Sequence, residues 1–501
     1  MNKNKVFLDQ RQKSLRDRLD PRWQPVTSSP VLEGGNIHYE VSGRTRAIGC
    51  GGLGLLQEVV RSVGLREGID DRLELFKRRK PYHESDHVLA LAFNILAGGQ
   101  CLDDLERHRQ NEAFLDALGA RRIPGASTAG DFLRRFDADS VGQLTAAVQD
   151  CSANVWRRRP KKERRLALID VDGTVVETTG ECKEGMDVSY KGRWGFGPLV
   201  VSLANTQEVI SLKNRSANRP SHDGAAPEMD KAITWALDKA EFEKVRLRGD
   251  TDFSLTSNFD RWTKKGVEFV FGMDASPGLV RRAQALEDGA WKSLERSKAP
   301  VRRRRPENVK KQVIQRREFK NLEVSEEHVA EIAYTPGRAR GVYRLIVLRK
   351  HIQVSKGQMF LEPEVRYFFY ITNVPASKMS PAEVIRQSNA RCHQENLIEQ
   401  LKNGVQATRM PVAEFDANWA YLVIGALAWN IKAWTALVLP KKLGARALLK
   451  MEFQRFLNEV ILVPTQIVNS GRRLIYRLLA VNRWTSLLVD GTIHLRRRRC
   501  A

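Results

Sequence analysis

Four carboxylates stand where apolar segments end or a polar helix begins. The run LALIDVD carries Asp170 and Asp172, the run VRLRGD carries Asp250, and SNARCHQENLIEQLKNG, which reads as a helix, carries Glu395. Acids at strand ends reach the edge of a sheet, where a helix carboxylate can meet them, and such a set of oxygens suits hard divalent cations such as Mg²⁺. Two ions about 3.5–4 Å apart can activate an attacking oxygen and stabilise the departing one at a phosphodiester. That chemistry asks the protein for positioning and charge rather than for covalent steps. In the polar helix, Ser388, Arg391, Glu395 and Lys402 are spaced by three, four and seven, so one continuous α-helix would project all four from one face. The face reads either as a metal ligand flanked by two phosphate-binding cations or as a solvated surface with an Arg391–Glu395 ion pair. Spacing alone does not choose between them.

The same residues admit other chemistry. LALIDVDGTVVE also matches the opening motif of haloacid-dehalogenase-type phosphatases, in which Asp170 would be the nucleophile and Asp172 the acid/base. Those enzymes resemble one another in a later G-D-x-x-x-D, and here Gly249 and Asp250 are followed by Ser254 at the last position. HESDH at 83–87 fits H-E-x-x-H, a zinc pattern that needs both imidazoles on one helical turn. Pro81, and Ser85 as a natural cap for a helix starting near Asp86, set His83 ahead of that helix, and the match reads as chance. A non-catalytic DNA-binding relic of the fold is a further alternative, opposed by the retention of all three acids.

Order and spacing along the chain resemble the DDE transposases of bacterial insertion sequences, and in particular insertion-sequence family thirteen-eighty. The resemblance rests on LIDVDGT, then LRGDTDF, then N-x-R-x-x-x-E-N-x-I-x-x-x-K. Of the Tyr-Arg-Glu-Lys signature, Arg391, Glu395 and Lys402 are present at the family spacing, while Ser388 stands for the Tyr. HVLALAFNILAGGQCLDDLERHR, IPGASTAGDFLRRF, YKGRWGFGPLVVSL and FDANWAYLVIGALAWNIKAW extend the likeness over about residues 52–450. Family motifs read Asp, one residue, Thr at the first acid, which selects Asp172 (Asp172–Gly173–Thr174) over Asp170, with Asp252 a neighbour of Asp250. The resemblance implies a ribonuclease-H-like core with Asp172, Asp250 and Glu395 as catalytic, metal-holding residues. It implies two Mg²⁺ ions, with Mn²⁺ able to substitute, and Arg391 and Lys402 on DNA. It further implies binding of terminal inverted repeats, strand cleavage at the element ends, joining of 3′ hydroxyls to target DNA, and a homodimer holding both ends.

The elements that must position these residues follow from composition and period. The 501 residues exceed one compact core, and 83 Lys and Arg against 59 Asp and Glu leave +24, a field suited to a polyanionic partner. The six scattered cysteines include no C-x-x-C pair, which fits a reducing compartment. The N-terminus lacks a signal-peptide core, and Lys432 and Lys441 interrupt and end the most apolar stretch, near 419–440. A bacterial cytoplasmic, nucleoid-associated protein without a membrane span is expected.

Residues 1–51 read as a polar arm, irregular apart from a weak strand near Ile37–Val41. Residues 52–156 read as a helical DNA-binding region. From 165 to 275 short Val-, Ile-, Leu- and Phe-rich runs with one helical segment argue for a mixed α/β sheet flanked by helices, the first part of the core. Residues 276–366, with the RRRR run at 302–305 and strand-like VYRLIVLRK and VRYFFYITN, read as a partly β insertion ahead of the catalytic Glu. Residues 367–450 complete the core, and 451–501 form a basic helical C-terminal region.

Overall fold

The computed structural model describes residues 3–20, 22, 37–41, 43, 45–294, 309–356, 359–471 and 473–500, so the RRRR run lies outside the described residues. The chain divides into two compact units, one made of Arg159–Thr179 and Met186–Ile398, the other of Met1–Arg158, Gly180–Gly185 and Glu399–Ala501.

The first of these is built on nine strands: β1 (Ala167–Gly173), β2 (Leu199–Leu203), β3 (Glu208–Lys213), β4 (Val245–Gly249), β5 (Glu268–Met273), β6 (Lys292–Ser293), β7 (Lys320–Tyr334), β8 (Tyr343–Lys356) and β9 (Met359–Thr372). They lie in the order β6-β7-β8-β9-β5-β4-β1-β2-β3. β1, β2 and β3 form an antiparallel meander, whereas β4 runs parallel to both β1 and β5. This is the mixed, ribonuclease-H-like sheet that the sequence leads one to expect. Alternation sorts its faces. Ala167, Ile169 and Val171 of β1, with Val245 and Leu247 of β4, are buried on one side, where the helix Ala225–Thr234 packs over β1 to β3. Asp170, Asp172, Arg248 and Asp250 therefore share the other side.

That second side is covered by the helix Pro381–Asn389, started by Pro381 and by the Ser380 hydroxyl, which accepts from the Glu383 N–H at 3.3 Å. Its Val384 and Ile385 are buried against Val270, Ile346 and Leu348, each such burial contributing roughly 1.5–3 kcal/mol. The segment read as a partly β insertion carries β6, β7, β8 and the start of β9. β7 to β9 extend the core sheet, with β9 antiparallel to β5 through Phe369↔Met273 to Thr372↔Val270. β7 is largely exposed over its first half, where charged and polar residues interrupt the apolar pattern that would announce a strand.

The other unit is mainly helical. Its central helix, Phe415–Val438, packs against Leu53–Val63, Glu84–Leu96 and Ala138–Arg157. It is apolar and long enough to cross a membrane, but 94% of its most apolar window is buried in the fold. Sequence grouped this helix with the catalytic core, whereas it packs with the N-terminal helices. Two further differences appear at the chain ends. Lys3–Arg18 is a helix, with too few apolar residues to show a stripe, and no strand forms at 37–41. The C-terminal region holds a hairpin, Thr465–Ser470 with Arg473–Leu478, to which Ala47–Ile48 adds a third strand.

Lys432, in the middle of the central helix, is buried, donates from Nζ to the Met451 carbonyl at 2.6 Å, and sits 3.6 Å from the Trp429 ring centroid. Burial pushes its ammonium down to about 7 from the ordinary 10.5. Between those values the unfolded chain holds more protons than the folded one, so this residue makes stability rise with pH. We expect Lys432→Met to remove that slope. The stability of the wild type relative to the variant should climb by on the order of 2 kcal/mol from pH 7 to pH 9 in denaturant titrations, and a constant difference would contradict the assignment.

Candidate active site

The site is assembled from two parallel strands and the helical segment laid over them. Asp170 and Arg248 are register partners on β1 and β4, and their side chains, 1% and 3% exposed, form a bidentate pair with Nε to Oδ1 at 2.6 Å and Nη2 to Oδ2 at 2.7 Å. Arg248 also donates from Nη1 to the Gln387 backbone carbonyl at 3.3 Å and to its Oε1 at 3.2 Å, tying the helix Pro381–Asn389 to the sheet. One pleat further along each strand come Asp172 and Asp250. The Asp172 carboxylate accepts from the Gly173 N–H at 2.8 Å, and that of Asp250 accepts from the Asp252 N–H at 3.1 Å, capping the turn Thr251–Phe253.

The expected continuous helix face does not form. The helix Pro381–Asn389 stops, Ala390 and Arg391 make a tight turn in which the Arg391 N–H donates to the Ser388 carbonyl at 3.1 Å, and a second helix runs from Cys392 to Glu399. Arg391 sits in this turn and reaches Asp172 Oδ2 at 3.1 Å from Nη1, with Nη2 4.0 Å from Glu395 Oε1. The Arg391–Glu395 ion pair of the second reading is present, and the same guanidinium also meets the first strand acid. Lys402 lies in a π turn, Gln400–Gly404, within the helical unit.

The acids interact electrostatically. Burial pushes Asp172 up to about 6; Arg391 opposes this, and the negative charges of Asp250 and Glu395 add to it. Asp250 is also raised, first by burial, then by the charges of Asp252 and Asp274, again against Arg391. Asp252 is exposed. Asp274, just beyond β5, escapes the sequence reading although it too ends an apolar run. Arg248 escapes it as well, although its place two residues before Asp250 puts both on one face of the strand. Among the described residues no group of three or more His, Cys, Asp or Glu side chains is gathered into a metal cluster. The donor set nonetheless fits a hard cation: all are oxygens, and the mutual repulsion that raises Asp172 is what such a charge relieves.

The competing motifs dissolve in the structure. Asp170 is enclosed by Arg248 and offers no free oxygen for nucleophilic attack, which removes the phosphatase assignment. In HESDH, His83 is the N-cap of the helix Glu84–Leu96, two residues earlier than Ser85 suggests. Glu84 is buried, accepting from the Leu75 and Phe76 N–H groups and pairing with Arg79 at 2.9 Å. His87 is stacked on Phe132 at 4.4 Å, with burial lowering it to about 4.

A family model described as the transposase DDE domain, group 1, matches residues 30–500. The chain belongs to the DDE transposases. No curated protein matches it significantly. Among solved structures it is similar to a cryo-EM structure of a piggyBac transposase synaptic complex with hairpin DNA, at 11% identity and a TM-score of 0.36, over 89% of this chain and 85% of that one. Membership in the transposase family rests on the family model and not on that distant likeness.

An acid raised in the folded state costs stability when ionised. For Asp172 the folded form keeps more protons between its ordinary 3.8 and about 6, so stability is gained as pH falls through 6 and diminished at neutral pH. The cost is on the order of 3 kcal/mol at most. Asp172→Asn should accordingly raise the unfolding temperature of the metal-free transposase at pH 7.5, and the gain should shrink toward pH 5 in thermal melts. A variant less stable than the wild type at pH 7.5 would show that Arg391 outweighs the burial and repulsion of this carboxylate.

Proposed function

We propose that this chain is the transposase of an insertion sequence, of family thirteen-eighty on the spacing of Arg391, Glu395 and Lys402, and that it cuts the strands at its element's ends and joins the 3′ hydroxyls to target DNA. The observation that carries this is the convergence of Asp172 and Asp250, from adjacent parallel strands, with Arg391 and Glu395 from the segment laid across them. Asp172, Asp250 and Glu395 would hold two Mg²⁺ ions, or Mn²⁺ in their place. Bound there, the ions supply the Lewis acidity that activates the attacking oxygen and stabilises the leaving one. The chain's own contribution is alignment and charge. Glu395, 62% exposed, is open to the substrate side. Arg391 has a guanidinium that can leave Asp172 for a phosphate, and Lys402 supplies a further phosphate contact.

The helical residues 52–156 are proposed to recognise the terminal inverted repeats, with the +24 charge drawing in both element and target DNA. Because two ends must be processed together, a homodimer is the proposed assembly, acting at the bacterial nucleoid. Asp172→Ala, Asp250→Ala and Glu395→Ala should each abolish cleavage of labelled DNA bearing the element's ends while leaving its binding within about twofold, since few phosphate contacts are lost. Arg391→Ala should slow cleavage and reduce the logarithmic salt slope of binding by about one. Cleavage surviving in any of the three acid variants would remove that acid from the site, and an unchanged salt slope would take Arg391 off the DNA.

A further inference from the structure

Glu395 is half of a sequence pair whose other half faces the opposite environment. Gln394 is 1% exposed, and its amide is used on both sides: Nε2 donates to the Val200 carbonyl at 3.1 Å, and Oε1 accepts from the Ser202 hydroxyl. These two residues of β2 are the register partners of Asp172 and Asp170 on β1. The amide therefore grips the strand beside the first catalytic aspartate, one residue before the helix carboxylate.

We propose that Gln394 is a positioning residue that fixes Glu395 relative to Asp172, a role that rests on the transposase chemistry above. An apolar side chain would bury equally well here, as Leu397 and Ile398 do on the same helix, but apolar contact tolerates sliding. A buried amide does not: shifting the helix by one residue leaves the amide and the Ser202 hydroxyl without partners, at about 1–3 kcal/mol for each. With successive helix residues turned by about 100°, locking Gln394 onto β2 sets the direction in which Glu395 leaves the sheet. It also sets Arg391, one turn earlier, against Asp172. The Arg248–Gln387 tie holds the preceding helix, so the turn bearing Arg391 is secured on both sides.

The test uses the full chain and two readouts: Mn²⁺ occupancy of the DNA-free protein by electron paramagnetic resonance, and single-turnover cleavage of element-end DNA. Gln394→Met keeps the volume and removes the amide. It should raise the Mn²⁺ concentration for half-occupancy by about tenfold, as losses of groups that orient metal ligands do, and slow cleavage in proportion, with affinity for end DNA unchanged and cleavage recovering at high Mn²⁺. Ser202→Ala should give a smaller shift in the same direction. The double variant should match Gln394→Met, because both changes break one bonded unit. A wild-type midpoint in Gln394→Met, or additive effects in the double variant, would overturn the role of Gln394 while leaving the transposase reading intact. A wild type that neither binds Mn²⁺ nor cuts end DNA would overturn that reading and this role together.

Discussion

The Asp170–Arg248 pair is the contact on which the rest of the site depends. Two charges taken out of water cost several kcal/mol each, and only close bidentate geometry with the remaining donors satisfied offsets that. Here two N–H groups meet the carboxylate and a third meets Gln387. Removing one partner from such a pair typically costs about 3–5 kcal/mol. The pair consequently fixes β1 against β4 in one register. Since Asp172 and Asp250 each follow two residues later, that register brings the two acids level at the same edge.

A site made in this way is electrostatically unsatisfied by design. Folding collects Asp172, Asp250, Asp274 and Glu395 into mutual influence, and the burial of Asp172 raises the cost further. Arg391 opposes both raised acids, and it does so from a turn between two helices rather than from within either. Its contacts are looser than those of Arg248, 3.1 and 4.0 Å against 2.6 and 2.7 Å. A tight pair that sets the frame and a loose one that compensates charge suit different tasks: the first resists exchange, and the second can give up a carboxylate when a stronger cation or a phosphate arrives.

Much of this was legible in the chain. The apolar runs ending in Asp172 and Asp250 announce the strands, and the period change near residue 165 marks where the sheet begins. What escaped did so for physical reasons. β7 is half exposed and charged, so it lacks the alternation that reveals a one-sided strand; its pairing with β8 is visible only once the sheet exists. The helix Phe415–Val438 is buried on nearly all sides, and a helix without a polar face says nothing about which neighbours it has. The break at Ala390 and Arg391 contains neither Pro nor Gly, the residues from which a break is read, and arises instead where the segment is tied to the sheet at Gln387 and Gln394.

That break explains why helical spacing was a better guide to residues than to shape. The separation of Arg391 and Glu395 brings them together whether the helix is continuous or restarts at Cys392, because the turn preserves one helical step between them. Lys402 lies within the π turn Gln400–Gly404, whose wider local repeat changes the direction in which its side chains emerge. Ser388 lies before the break and contributes its backbone carbonyl to the turn, a task that any residue type performs. A tyrosine at this position could add a ring to the site, but the turn itself does not need one, and the geometry that joins Arg391 to Asp172 survives its replacement.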